Sequence, residues 1–217
     1  MNTNQEISEK YLRSILKNKN EISHEYFNKL ELRTDASINQ NSEINKLLDR
    51  KLTKSSVLIP IVFDDGNYSI ILTYRSADLK DHASQISFPG GRIDAQDASP
   101  VHTAIRETYE EVGIEEKYIE IIGNLDTYVT GTGYQILPII SLISQQHKTK
   151  INSNEVESIF KLPLSFLMDA SNHQVDRKHY NNGSITYDYN FNVINYNSHY
   201  IWGATASILI NLYERLK

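Results

Sequence analysis

Apolar and polar residues alternate along this chain in two rhythms, one of about 3.6 residues and one of 2. Ile7, Tyr11 and Ile15 recur at helical spacing and predict a short amphipathic helix over 5–18. Tyr26, Phe27 and Leu30 mark the inward side of a second helix over 23–32, and Thr34 to Ser42 is polar and loop-like. Val57 to Phe63 is a continuous apolar run that predicts a buried strand, with Pro60 calling for an edge or bulge position. Asp65-Gly66 marks a turn, and Tyr68 to Tyr74 reads as the hairpin partner. Ile86 to Phe88 is short and extended ahead of Pro89.

The strongest helical signal follows. Ser99 is an N-cap, Pro100 a first helical residue and Gly113 a terminator. Between them Val101, Ala104, Ile105, Thr108 and Val112 form a buried stripe. Tyr118 to Ile122 and Leu125 to Val129 are strands around a bulge or turn at Gly123-Asn124, and Gln135 to Ile143 is another strand, again with a proline. Gln145 to Asn154 is a polar loop, and Leu164 to Met168 a short helical piece. Tyr187 to Ile194 alternates, and Trp202 to Leu216 reads as the closing helix. Periodicity alone gives a mixed α and β protein. At 217 residues the chain can bury roughly 70% of its surface in one core. The expected layout is a helical extension over 1–50 and a catalytic domain over 51–217.

The net charge of −5 argues against nucleic acid or an anionic membrane as partner, while leaving room for a locally basic pocket. With no cysteine, disulfides, thiolate zinc sites and cysteine nucleophiles are excluded. The opening MNTNQEISEK has no apolar signal region, and no segment approaches a membrane span. The expectation is a soluble cytoplasmic protein, its assembly left open between monomer and homodimer.

Chemistry concentrates in FPGGRIDAQDASPVHTAIRETYEEVGI, residues 88–114. With a turn of about 100° per residue, Glu107 lies about 60° from Glu110 and about 40° from Glu111 around the helix. Such carboxylates repel one another. A hard divalent cation would offset the repulsion and accept bridging phosphates. The alternative is a solvated acidic helix face. The seven histidines show no metal-ligand spacing. Trp202 reads as core rather than as a stacking surface.

This stretch resembles the Nudix box. Gly91 matches its first glycine, and Arg106, Glu107, Glu110, Glu111, Gly113 and Ile114 match its second half. Asp97 stands at the first acidic position, with eight residues rather than seven before Arg106, and Thr108 replaces a larger apolar residue. The longer box is similar to that of the coenzyme A pyrophosphatase branch. Leu72-Thr73-Tyr74-Arg75-Ser76 leading into Phe88-Pro89-Gly90-Gly91 resembles that branch's signature, with Lys80 in place of a usual Arg and Ser84 in place of a usual Gly. Ile201 to Ala206, Thr130 to Tyr134 with Pro138, and Asn154-Glu155-Val156 with Phe160 and Pro163-Leu164 resemble it too. The likeness runs from about residue 55 to the C-terminus.

The resemblance implies an α/β/α sandwich with a mixed sheet. It implies that Glu107, Glu110 and Glu111 hold Mg²⁺ or Mn²⁺, with the Gly91 carbonyl as a further ligand. Arg106 would pair with Asp97 and orient carboxylates. Glu111 and Glu155 are candidate bases, with Glu157 a weaker one. Arg75, Lys80, Ser84, Gly90 and Thr132 are candidate substrate contacts. The leading activity is hydrolysis of the diphosphate of coenzyme A or its thioesters to 3′-phosphoadenosine 5′-phosphate and a 4′-phosphopantetheine species. The alternatives are a pyrophosphatase for another nucleoside diphosphate, such as ADP-ribose or a dinucleotide, and a catalytically inactive nucleotide-binding module.

Overall fold

The computed structural model describes residues 7–17, 21–30, 32–34, 51–78, 84–181 and 186–217. Lys80 and His82 lie outside the described residues, as does nearly all of the predicted polar loop after Thr34. Five α-helices are described: α1 (Glu9–Leu16), α2 (His24–Phe27), α3 (Pro100–Val112), α4 (Leu164–Leu167) and α5 (Gly203–Leu216). The strands are β1 (Leu32–Thr34), β2 (Thr53–Asp64), β3 (Asn67–Arg75), β4 (Ile86–Ser87), β5 (Gly90–Arg92), β6 (Ile119–Asn124), β7 (Thr127–Val129), β8 (Tyr134–Ile143), β9 (Val156–Pro163), β10 (His173–Asn181), β11 (Thr186–Tyr196) and β12 (His199–Trp202).

The main sheet is mixed. Its path runs β1-β7-β8-β2-β3-β4, with β5 also on β2, β6 on β8 and β9 on β3. The pairs β2–β8 and β1–β7 are parallel and the others antiparallel. Asp65 (φ 49°) and Gly66 (φ 79°) both take the left-handed region, which a two-residue hairpin turn demands. β10, β11 and β12 form a separate antiparallel sheet.

Strand alternation sends side chains to two helical layers. Ile59, Ile61, Ile70, Leu72 and Ile140 join Leu12 and Leu16 of α1 and Leu209 and Leu212 of α5 in one core. Leu58, Val62, Ile71, Leu137 and Ile139 join Ala104 and Val112 of α3 and Phe27 of α2 in the other. This is the α/β/α sandwich with a mixed sheet. No helix among the described residues is long and apolar enough to cross a membrane.

Several local expectations change. Pro60 sits inside β2, not at an edge. β5 partners β2 only to Val57, Leu58 N–H reaches Pro89 C=O at 2.9 Å, and β3 begins its pairing at Ile61. The nitrogen of Pro60 falls on the same side as that of Leu58, in the gap between β5 and β3, where no donor is needed. The second helix is only four residues long, and Leu32 belongs to β1, paired with Thr127. In α1 the buried residues are Leu12 and Leu16, with Ile7, Tyr11 and Ile15 flanking them. Trp202 ends β12 rather than opening α5, and its ring meets Phe191 edge-on at 5.6 Å. At Gly123 the β6–β8 register shifts, so the Gly-Asn pair follows a bulge inside a strand.

Candidate active site

α3 is the frame of the site. Ser99 Oγ accepts the His102 N–H at 3.2 Å, Pro100 opens the helix, and Gly113 (φ 72°) closes it with its N–H on Tyr109 C=O. Thr103, Ala104, Thr108 and Val112 are buried, and so is Glu111. The expected separation of a greasy face from a carboxylate face therefore fails at Glu111. Its side chain is 3% exposed, against 48% for Glu110 and 16% for Glu107. The apolar stripe and the carboxylates overlap because Glu111 follows Thr108 by three positions on the same side of the helix.

Glu111 points at β5 and β3. Its Oε2 accepts the Gly90 N–H at 3.2 Å, and its Oε1 lies 3.5 Å from Arg75 Nη1. Burial raises its pKa to about 8, against the opposing pull of Arg75 and Gly90, with Glu107 and Glu155 pushing the same way as burial. Burial likewise raises Glu107. Arg75 Nε is buried without a hydrogen-bond partner.

The two glycines of β5 are constrained differently. A Cβ on Gly90 would lie 2.5 Å from Ser56 O and Val57 Cα, both backbone atoms. A Cβ on Gly91 would fall under 3.0 Å from the Glu107 carboxylate, so the Gly91 backbone lies directly against that group.

Arg106 collects the remaining carboxylates. Its Nε and Nη2 each donate to Asp97 at 3.0 Å, one to each oxygen. Its Nη1 donates to Glu107 at 2.9 Å and to Glu110 at 3.1 Å. Asp97 has a fully buried side chain that also accepts from Thr103 Oγ1 at 2.8 Å and Asp94 N–H at 3.0 Å. The loop thus delivers the shorter side chain to Arg106. The Arg106 guanidinium holds the Asp97 carboxyl far below its ordinary range, against the opposing effect of burial.

Glu155 approaches from the loop after β8. Asn152 N–H donates to Glu111 C=O at 3.0 Å, Lys150 N–H to Val112 C=O at 2.8 Å, and Asn152 Nδ2 to Glu155 Oε1 at 3.0 Å. The Glu155 carboxylate acts electrostatically on both Glu107 and Glu111. Ser84 is exposed, with φ 57° and its N–H on Arg75 C=O at 3.2 Å. That left-handed backbone is one a glycine adopts without strain. Thr132 is exposed in the turn 130–133, its Oγ1 2.9 Å from Thr130 Oγ1. The turn leads into Tyr134, whose hydroxyl accepts from Arg92 Nη2 at 2.6 Å, one residue beyond Gly91. Arg75, Gly90, Gly91, Glu107, Glu111 and Glu155 are brought together. Thr132 bonds to Thr130 instead.

The pattern in the sequence did not reveal His24 and His102, which both reach Asp97: His24 Nε2 lies 3.1 Å from its C=O and His102 Nδ1 3.1 Å from Oδ1. His102, three residues after the N-cap, stood within reach of helical reasoning. His24, 73 positions away from Asp97, did not.

A model of the NUDIX domain matches residues 52–181. The chain belongs to the Nudix family. The Nudix hydrolase NudL of Citrobacter koseri, described as uncharacterized, is 35% identical over 160 residues, covering 73% of this chain and 80% of the relative. Its counterpart from Photorhabdus laumondii is 35% identical over 164 residues, covering 75% and 84%. Among solved structures, a MutT/nudix family protein from Enterococcus faecalis superposes with a TM-score of 0.50 at 10% identity, covering 98% of this chain and 75% of that one.

Nudix hydrolases typically use divalent metal ions. Among the described residues, no three acidic or imidazole side chains converge as a ready-made cage, since Glu107 and Glu110 both turn to Arg106. The donors nonetheless fit a hard cation. They are oxygens only, Glu111 is a desolvated carboxylate, and the Gly91 backbone leaves no side chain beside Glu107.

Proposed function

We propose that the protein is a divalent-metal-dependent pyrophosphatase that cleaves the diphosphate of a nucleoside diphosphate derivative, such as ADP-ribose or a dinucleotide. The observation that carries this reading is the buried Glu111, bonded to Gly90 and faced by Arg75, beside Glu107 on one helix. Glu107, Glu110, Glu111 and the Gly91 carbonyl would hold Mg²⁺ or Mn²⁺, which neutralises diphosphate charge when bound. Arg106 and Asp97 orient Glu107 and Glu110. Arg75 offers a planar donor to a phosphate, and its Nε is the one buried side-chain nitrogen among the described residues that lacks a protein acceptor. Glu111 is one candidate acceptor for the proton of the attacking water, once a bound cation holds it ionised. Glu155, held by Asn152, is the alternative acceptor. Gly90, Ser84, Thr132 and Lys80 are further candidate substrate contacts.

Coenzyme A or a thioester is the narrower reading. It is favoured by the segments 72–76, 88–91 and 201–206, and weakened by Lys80 and Ser84. The protein would act as a single Nudix domain over 51–217 with the segment before it as an extension. Incubation with Mg²⁺ or Mn²⁺ and a panel of ADP-ribose, a diadenosine dinucleotide, coenzyme A and acetyl-coenzyme A, with products resolved by mass, tests both readings. Faster turnover of substrates lacking a 3′-phosphate supports the broader one. Cleavage of coenzyme A species alone supports the narrower. Intact substrates throughout, with binding retained, would leave a nucleotide-binding module.

A further inference from the structure

We propose that His24, in the segment before the domain, is a positioning residue for the α3 carboxylates, acting through the backbone of Asp97. This rests on the reading of Glu107, Glu110 and Glu111 as the cation site. A carbonyl only accepts, so the 3.1 Å contact to Asp97 C=O makes His24 Nε2 the donor. The same Asp97 forks onto Arg106 through its carboxylate, and Arg106 in turn grips Glu107 and Glu110. His24 therefore stands three links from two of the three carboxylates, with Asp97 and Arg106 between.

The rest of the segment makes that donor a fixed one. Ser23 Oγ caps α2 by accepting the Tyr26 N–H at 3.1 Å. Phe27 is fully buried in the core shared with Ala104 and Val112 of α3, and Ile22 packs beside it. The Lys54 ammonium sits 5.6 Å over the Phe27 ring. β1 extends the main sheet through β7. α2 thus shares a core with α3, and the His24 ring ties it to the box loop. A loop lacking that donor keeps Asp97 buried but gains freedom in its backbone, and the Arg106 fork moves with it. Partners that touch a metal ligand directly typically change metal affinity by about 10- to 100-fold. Arg106 is such a partner, and His24 acts two links further out through Asp97, so the expected effect is reduced to about 3- to 10-fold.

Mn²⁺ binding to the full chain, read by EPR of free Mn²⁺ without substrate, tests this. His24→Ala should weaken Mn²⁺ binding by about 3- to 10-fold and raise the Mn²⁺ needed for half-maximal turnover equally, with kcat at saturating Mn²⁺ nearly unchanged. His24→Gln, which restores an N–H donor at similar reach, should recover most of the loss. Arg13→Ala, which removes an exposed pair with Glu9 within α1 and the exposed tie of α1 to Glu120 without touching Asp97, should bind as the parent does. Circular dichroism melts identify any variant that fails to fold. Parent-like binding by His24→Ala, no recovery in His24→Gln, or an equal loss in Arg13→Ala overturns the proposal. A parent protein that binds no Mn²⁺ overturns instead the cation-site reading beneath it.

Discussion

Replacing Glu111 by glutamine should flatten the pH dependence of stability in chelator-treated protein. Glutamine keeps an acceptor for Gly90 N–H and removes the buried charge. In the folded chain the Glu111 carboxyl titrates near about 8, against an ordinary value of 4.5. The folded state then holds a proton that the unfolded state has released. Stability is therefore full below pH 4.5 and drains away as pH rises towards 8. Linkage gives a loss of about 3 kcal/mol between pH 5 and 7.5. A side chain only 3% exposed needs no surface discount. With a urea slope of about 2 kcal/mol per molar, the midpoint falls by about 1.5 M over that interval. The other titrating groups are common to parent and variant. The attraction of Arg75 acts only on the ionised carboxylate and is already contained in the shifted titration of Glu111. Urea titrations of both proteins in EDTA at pH 5 and 7.5 give the two slopes. Parallel midpoints would mean that Glu111 ionises freely in the fold, and the raised proton affinity would have to be abandoned.

Glu110→Gln should lower turnover by at least about 100-fold with little change in melting temperature, because the side chain is 48% exposed and contributes little packing; assays at saturating Mg²⁺ alongside thermal melts check this. Gly90→Ala should destabilise the fold by more than about 2 kcal/mol through backbone collision, whereas Gly91→Ala should fold and lose Mn²⁺ affinity, since only a mobile carboxylate must yield; paired urea and EPR titrations separate them. Asp97→Asn should cost about 3 kcal/mol by breaking a buried ion pair. It should also remove a carboxyl whose stabilising effect is present above its ordinary 3.8 and fades only at more acid pH, so the variant should lose less stability than the parent on acidification below pH 3.8.

The helix frame was legible because its signals are local. Ser99, Pro100 and Gly113 act within one turn of the helix they bound, and their chemistry reads directly from residue type. β2, β3, β6, β7 and β8 were legible as apolar runs, though their edges were not, while β1, β5, β9, β10 and β12, which lack such runs, were missed. Pro60 looked like an edge residue because a sequence shows the missing donor but not the gap between β5 and β3 that makes it harmless. Glu111 was legible as one of three clustered carboxylates but not as a buried one. Its burial depends on β5 and β3 closing over it, a fact of tertiary packing. The Asp97–Arg106 fork was expected from resemblance alone, and the loop geometry behind it was not expressed in any pattern. His24 illustrates the limit. Nothing in a lone histidine reveals a partner 73 positions on.

The C-terminal end of α3 has a consequence for how this chain can vary. Its last carbonyls are satisfied by backbone amides of residues 150 and 152, and a Cβ on Gly113 would collide with Lys150. Glu155 follows within the same short stretch. Insertions between 145 and 149 would bulge outward without cost to the helix, while a single added residue between 150 and 155 would break the cap and carry an acidic side chain away together. Length tolerance should therefore change abruptly at residue 150.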